Sequence, residues 1–336
     1  MFKCVQINRY SFFGYLLLFS LIPSTSAHAG ATLPHLGSKT VSVGTDEGTF
    51  GVHFNVLGRN KSPKDSGVGI DPGQISILII HGFMDTAGSP ENGFTPATWM
   101  MSIAEAIRSG SGIENGASAN IILVDWSAGA GDSLGSYFKT LRNVQPVGEA
   151  IAAYLASNNI DPSSTILIGH SLGGHIAGVA GKQIKASRSG EMLRAIFGID
   201  EAGIGYQTAG VDKMLDASDA TKVISLKTSA WCGSQRHLAS CSLFINPIRN
   251  ESGKIAGYKH PKIPPTFVDF RKLNTAADRQ SHLYGCEVVM PRLLRGGKIV
   301  AQSSSDSRCI KQLLDSAKGK LDLSTSAEWS GEGSQL

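Results

Sequence analysis

The stretch ILIGHSLGGHIAGVAG, residues 166–181, does most to narrow what this chain can fold into. It begins as an apolar run, the pattern of a strand buried on both faces. It ends in small, helix-compatible residues. Between the two, Ser171 is bracketed by Gly169 and Gly173. A strand that passes straight into a helix needs a sharp turn, which crowds the positions two before and two after its apex. Glycine suits both. A serine at the apex is held in a strained conformation and stands clear of the sheet, as a nucleophile must. The helix that opens there aims its first N–H groups, and the positive end of its dipole, at a developing oxyanion. The five-residue pattern alone is common; the strand before it and the helix after it give it weight.

The rest of the chain supplies a matching frame. Residues 40–57 alternate loosely, as an antiparallel strand pair would, and 59–74 read as a polar, Gly/Pro-rich loop. Buried strands are predicted at 75–80, 121–124, 164–168, 193–199 and 222–226. Helices are predicted at 95–107, with Pro96 near its first turn, and around Val144, Val147, Ile151 and Leu155. Strands alternating with helices imply an α/β domain with a mostly parallel central sheet and helices on both faces. The 336 residues suffice for one large domain of this kind, placed at residues 30–323, with a Ser/Gly/Glu-rich tail at 324–336.

The first 29 residues read as a leader. Lys3 and Arg9 precede an apolar run at 11–22, and Ala27-His28-Ala29 has the small-residue spacing of a cleavage site. The run is shorter than the ~20 residues a membrane span needs. The chain is therefore expected to be secreted, with no transmembrane segment once the leader is removed. Four cysteines then remain (Cys232, Cys241, Cys286 and Cys309), an even set that reads as two disulfides in an oxidising compartment. The shorter loops come from pairing Cys232 with Cys241 and Cys286 with Cys309. A formal charge of +4, spread without a basic run, points away from a nucleic-acid partner.

A serine hydroxyl needs a base, and the base an orienting acid. Asp200 ends the strand after the serine, at the same edge of the sheet. His237, His260 and His282 follow it; His282 is preferred because it lies beside the apolar Val288-Val289-Met290 and can be held in place. The turn Ile80-His81-Gly82-Phe83 leaves an earlier central strand. The N–H groups of Phe83 and Leu172 are therefore the natural oxyanion donors. His81, His170 and His175 read as hydrogen-bonded packing residues.

These residues also carry a family likeness. The segment from Leu167 to Gly178 resembles the nucleophile segment of the pancreatic-lipase-type family, which includes secreted phospholipases A1. The turn at 80–83, the strand at 120–126, the helix at 143–152 and Gly198-Ile199-Asp200-Glu201-Ala202 resemble further family segments in the same order. Ser281-His282 resembles the segment that carries the base. The resemblance implies an α/β-hydrolase fold and a triad of Ser171, Asp200 and His282, with Phe83 and Leu172 as oxyanion donors. It implies a secreted ester hydrolase that works at a lipid interface without a cofactor. A triacylglycerol lipase is the first expectation; a phospholipase A1 and a non-catalytic lipid-binding relative are the alternatives. Residues 248–280 lie where the family keeps its lid. Glu201 stands where the family has proline, and no cysteine accompanies Ser281. The run from Leu215 to Ala220 resembles the family's calcium loop, so Asp216 and Asp219 are candidate Ca²⁺ ligands; two carboxylates beside a turn are more often simple caps.

Overall fold

The computed structural model describes residues 33–58, 69–229, 233–234, 239, 241–244, 282–296, 299–301, 303–304 and 327–329. The leader, His237, His260 and the lid segment lie outside these residues.

Strands β1 (His35–Thr45) and β2 (Gly48–Leu57) form the expected antiparallel hairpin. They lead into β3 (Ser76–Ile80), β4 (Asn120–Asp125), β5 (Thr165–His170), β6 (Ala195–Ile199), β7 (Val223–Lys227) and β8 (Cys241–Phe244). The sheet order is β1-β2-β4-β3-β5-β6-β7-β8, extended past β8 by the two residues of β10 (Ser303–Ser304). From β4 to β8 every neighbour is parallel, while β2 meets β4 antiparallel. A parallel core with an antiparallel flank in this order is the α/β-hydrolase fold.

Successive side chains on a strand point to opposite faces, so each central strand feeds two cores. Ile77, Ile79, Ile121, Leu123, Ile166 and Ile168 pack with helix α1 (Thr98–Ser109) on one face. Leu78, Ile80, Ile122, Val124 and Leu167 pack with the larger helices of the other. In chain order a short helix, α2 (Tyr137–Thr140), follows α1; the larger pair is α3 (Val144–Ser157) and α4 (Leu172–Ser187). Every residue of β3 to β7 is buried. Truncating one of these isoleucines to alanine should cost about 2–5 kcal/mol.

Two expectations need amendment. Helix α1 begins at Thr98, so Pro96 precedes it; the Ala97 N–H donates to Thr86 O at 2.9 Å, and this tertiary bond holds Ala97 extended. Cys286 is a free, buried thiol rather than the partner of Cys309. It lies just before α5 (Met290–Leu294), packs in the α1-side core with Val289, Met290 and Leu293, and donates to Leu283 O at 3.2 Å. Cys241 is disulfide-bonded, and Cys232 lies outside the described residues. Within the proposed tail, β11 (Ala327–Trp329) runs parallel to β9 (Ile299–Ala301).

Candidate active site

The C-terminal ends of β3, β5, β6 and β7 lie side by side, the edge of an open α/β sheet where ligands bind. At the end of β5 the chain turns at Ser171, with φ 55° and ψ −122°, directly into α4. A Cβ on Gly169 would lie 2.2 Å from Gly173 O, and one on Gly173 would lie 2.3 Å from Ile80 O. The flanking glycines are therefore required by contact as well as by turn geometry. The turn after β3 comes as close: a Cβ on Gly82 would sit 2.7 Å from Ser171 Cβ. Phe83 is thus carried to the serine. Among the described residues, neither the Phe83 nor the Leu172 N–H has an acceptor.

The turn after β3 is braced from β4. The Trp126 N–H donates to His81 Nε2 at 3.1 Å, and the Trp126 indole donates to His81 O at 2.9 Å. Asp125 accepts from the Ala87 N–H, Thr86 Oγ1 and Ser127 Oγ at 2.7–2.9 Å. Burial opposes its ionisation, but neighbouring His81 and these donors outweigh that and hold its carboxyl well below the ordinary value.

Asp200 follows β6 with φ 48° and is fully buried. Its Oδ1 accepts from the Thr228 and Ser229 N–H groups at 2.7 and 3.0 Å; its Oδ2 accepts from Ser229 Oγ and from His282 Nδ1, the latter at 2.6 Å. Burial raises the pKa of this carboxyl. The hydrogen bond and charge of His282, with the Ser229 and Thr228 donors, reverse that and leave it lowered. An ionised carboxylate only accepts, so Nδ1 of His282 is the donor, which leaves Nε2 as the nitrogen able to serve as a base.

His282 is held from a second side. The His170 Nε2–H donates to His282 O at 3.1 Å, and the two rings stand 4.6 Å apart, tilted by 43°. The residue just before Ser171 therefore touches His282. Burial, then the charge of His282, pushes the His170 imidazole down to about 3, so it stays neutral. His175 is likewise lowered by burial, to about 4; its Nε2 donates to Ala202 O at 2.8 Å and its Nδ1 accepts from the Leu215 N–H.

The structure thus brings Ser171, Asp200, His282 and the turns bearing Phe83 and Leu172 to one edge. Thr228 and Ser229, which hold Asp200, escaped the sequence reading. Their only signal is position: they follow the strand that neighbours the acid's own.

Asp216 and Asp219 lie near the far half of α4 and face a different cation. The Lys182 ammonium donates to Asp219 Oδ1 and Oδ2 at 2.6 and 2.7 Å and to Met214 O at 2.7 Å, and it lies 3.0 Å from Asp216 Oδ2. The side chain of Lys182 fills the place these oxygens would offer a metal, so they do not fit a Ca²⁺ ion as they stand.

A strained serine at a strand–helix turn, on the sheet edge where a buried carboxylate holds a histidine, matches the layout expected of an α/β hydrolase. The Lipase family model matches residues 70–254, more than half of the sequence, and the chain belongs to that family. Similar proteins include "Phospholipase A1 4" of the wasp Polistes dominula, 32% identical over 190 residues, 54% of this chain and 55% of that protein. "Phospholipase A1 member A" of Rattus norvegicus is 32% identical over 154 residues, 45% of this chain and 29% of that protein. The chain thus spans about half the length of the wasp relative. Among solved structures, an α/β hydrolase from a deep-sea metagenome library is 16% identical at a TM-score of 0.32, covering 56% of this chain and 68% of that one. An esterase of Pyrobaculum calidifontis gives the same TM-score at 12% identity, with 58% and 65% covered.

Proposed function

We propose that the chain is a serine hydrolase that cleaves ester bonds of acyl lipids. His282 Nε2 takes the proton of Ser171 as its oxygen attacks the ester carbonyl. The oxyanion forms toward the N–H groups of Phe83 and Leu172, and Asp200 stabilises the imidazolium. His282 then returns the proton to the leaving alcohol, and water releases the fatty acid by the same steps reversed. Losing one oxyanion donor from such a site costs roughly 10²–10³-fold in kcat.

The observation that carries this reading is the 2.6 Å bond from His282 to a buried carboxylate, beside the strained turn at Ser171. That bond fixes the base's tautomer. Triacylglycerol and glycerophospholipid both offer the ester; the printed names of the wasp and rat relatives favour phospholipid as a second reading. Secretion after removal of residues 1–29 belongs to the same proposal. Among the described residues, no helix is long and apolar enough to cross a membrane.

The test is to assay purified protein on emulsified triacylglycerol and on phosphatidylcholine vesicles, with Ser171→Ala as control. Fatty acid release that Ser171→Ala reduces by several orders of magnitude supports the reading. Lipid binding without turnover would make the chain a non-catalytic relative and defeat it.

A further inference from the structure

Glu201 directly follows Asp200, and it is buried, at 3% exposure. Its Oε2 accepts from Ser225 Oγ at 2.9 Å and lies 3.3 Å from Nζ of Lys227, itself only 3% exposed. Its Oε1 is buried with no hydrogen-bond partner among the described residues, and Glu201 lines a small cavity with His175, Leu215 and Ser234. A buried ion pair with an unsatisfied oxygen is a poor device for stability, because apolar residues of similar volume often do as well or better. Its presence beside the acid calls for another account.

The contacts supply one. Lys227 Nζ donates to Ser234 O at 2.6 Å, and the Ser234 N–H donates back to Glu201 O at 2.5 Å. Gly233, next in the chain, pairs with Ala202 in an antiparallel bridge. Its N–H donates to Ser229 Oγ at 2.8 Å, which in turn donates to Asp200 Oδ2. Gly233 also comes close enough that a Cβ there would lie 2.5 Å from Asp200 Oδ1. A continuous path therefore runs from Glu201 and Lys227 through Ser234, Gly233 and Ser229 to the oxygen that holds His282. Glu201 leans on the nucleophile's helix too: a Cβ on Gly174 would lie 2.6 Å from Glu201 Cγ.

We infer that Glu201 and Lys227 are positioning residues: together they seat the segment at 233–234 so that Ser229 and Gly233 fix the Asp200 carboxylate against His282. This rests on the hydrolase reading above. The pair touches no reacting atom. Lys227 acts by holding a backbone carbonyl, and Glu201 by neutralising and steering Lys227 in a site that would not otherwise keep an ammonium.

The decisive variant is Glu201→Gln with Lys227→Met, which removes both charges and leaves neither unpaired. The expected result is a melting temperature close to that of the parent, with kcat down about tenfold or more and KM little changed. The pH profile of kcat/KM should change, because the carboxylate bonded to His282 Nδ1 is no longer seated as in the parent. The downfield NMR resonance of the His282 Nδ1–H should shift or broaden; this readout needs no substrate, so it tests the positioning even if the ester assay fails. Lys227→Arg, which keeps a donor for Ser234 O, should recover most of the rate. If the double variant keeps the parent's kcat, pH profile and resonance, the pair is packing alone and the inference falls. A lower melting temperature accompanied by an unchanged rate would overturn it equally.

Discussion

Ser171 and Asp200 share an uncommon backbone state, with φ of 55° and 48°. Neither is glycine, and each such residue costs of order 1–3 kcal/mol unless its surroundings over-determine it. Here they do: the Ser171 N–H donates to Ile199 O at 3.0 Å, and the Asp200 N–H to Leu226 O at 2.8 Å. The serine is thereby tied to the strand that ends in the acid, and the acid to the strand beyond. The carboxyl of Asp200 makes a matching prediction. Because its folded pKa lies below the ordinary value of 3.8, its stabilising effect is fully present above that pH and is lost as pH falls through the folded value. Asp125 acts in the same sense. Asp125→Asn should therefore flatten the fall in stability below about pH 4, read by denaturant unfolding across an acid series. Asp200→Asn should flatten it too and, on the proposed mechanism, lower kcat by roughly 10⁴-fold, as loss of the correct tautomer does in serine hydrolases.

The elements show what a sequence makes legible. Strands β3 to β7 announce themselves as short apolar runs, and α3 by Val144, Val147, Ile151 and Leu155 on one face, because period and burial are local patterns. Ser171 and Asp200 stand at strand ends for the same reason. Other features depend on contacts between distant segments. Helix α1 starts late because Ala97 bonds to Thr86, and Cys286 faces a core rather than a partner cysteine. Lys227, at the end of β7, would read from sequence as a solvated strand end, yet it is buried on Glu201. Lys182 is the clearest case at this scale. It braces α4 to the segment at 214–219 with an ammonium where the acidic loop suggested a metal. The melting temperature of the purified protein should therefore be the same in millimolar EDTA and in millimolar Ca²⁺. Lys182→Met removes the counter-charge of Asp216 and of the buried Asp219, whose carboxyl burial already pushes up to about 7, and should cost about 1–3 kcal/mol near neutral pH, measured by urea unfolding. A rise in the parent's melting temperature on adding Ca²⁺ would refute this account.

At the scale of the molecule, the main sheet of the described residues separates two cores, and Cys286 reports on one of them. Burial raises the pKa of its thiol well above the ordinary 9, with Glu287 and Asp85 adding to the effect. A fully buried, protonated thiol does not react with an alkylating agent. Native protein should leave Cys286 unmodified for hours near neutral pH, and labelling should follow global unfolding on raising denaturant; peptide mass mapping reads both. Ready labelling without denaturant would show that this core opens locally. The crowding around Ser171 has a different reach. From Gly82, Gly169 and Gly173 the serine's surroundings admit nothing larger than a hydrogen atom, because each approach ends on backbone or on the serine itself. Stepwise change is therefore closed at the positions nearest the chemistry. A chain built this way can vary in what it accepts only through segments farther out, so related chains that diverge in substrate should keep an identical turn and differ in the loops around it.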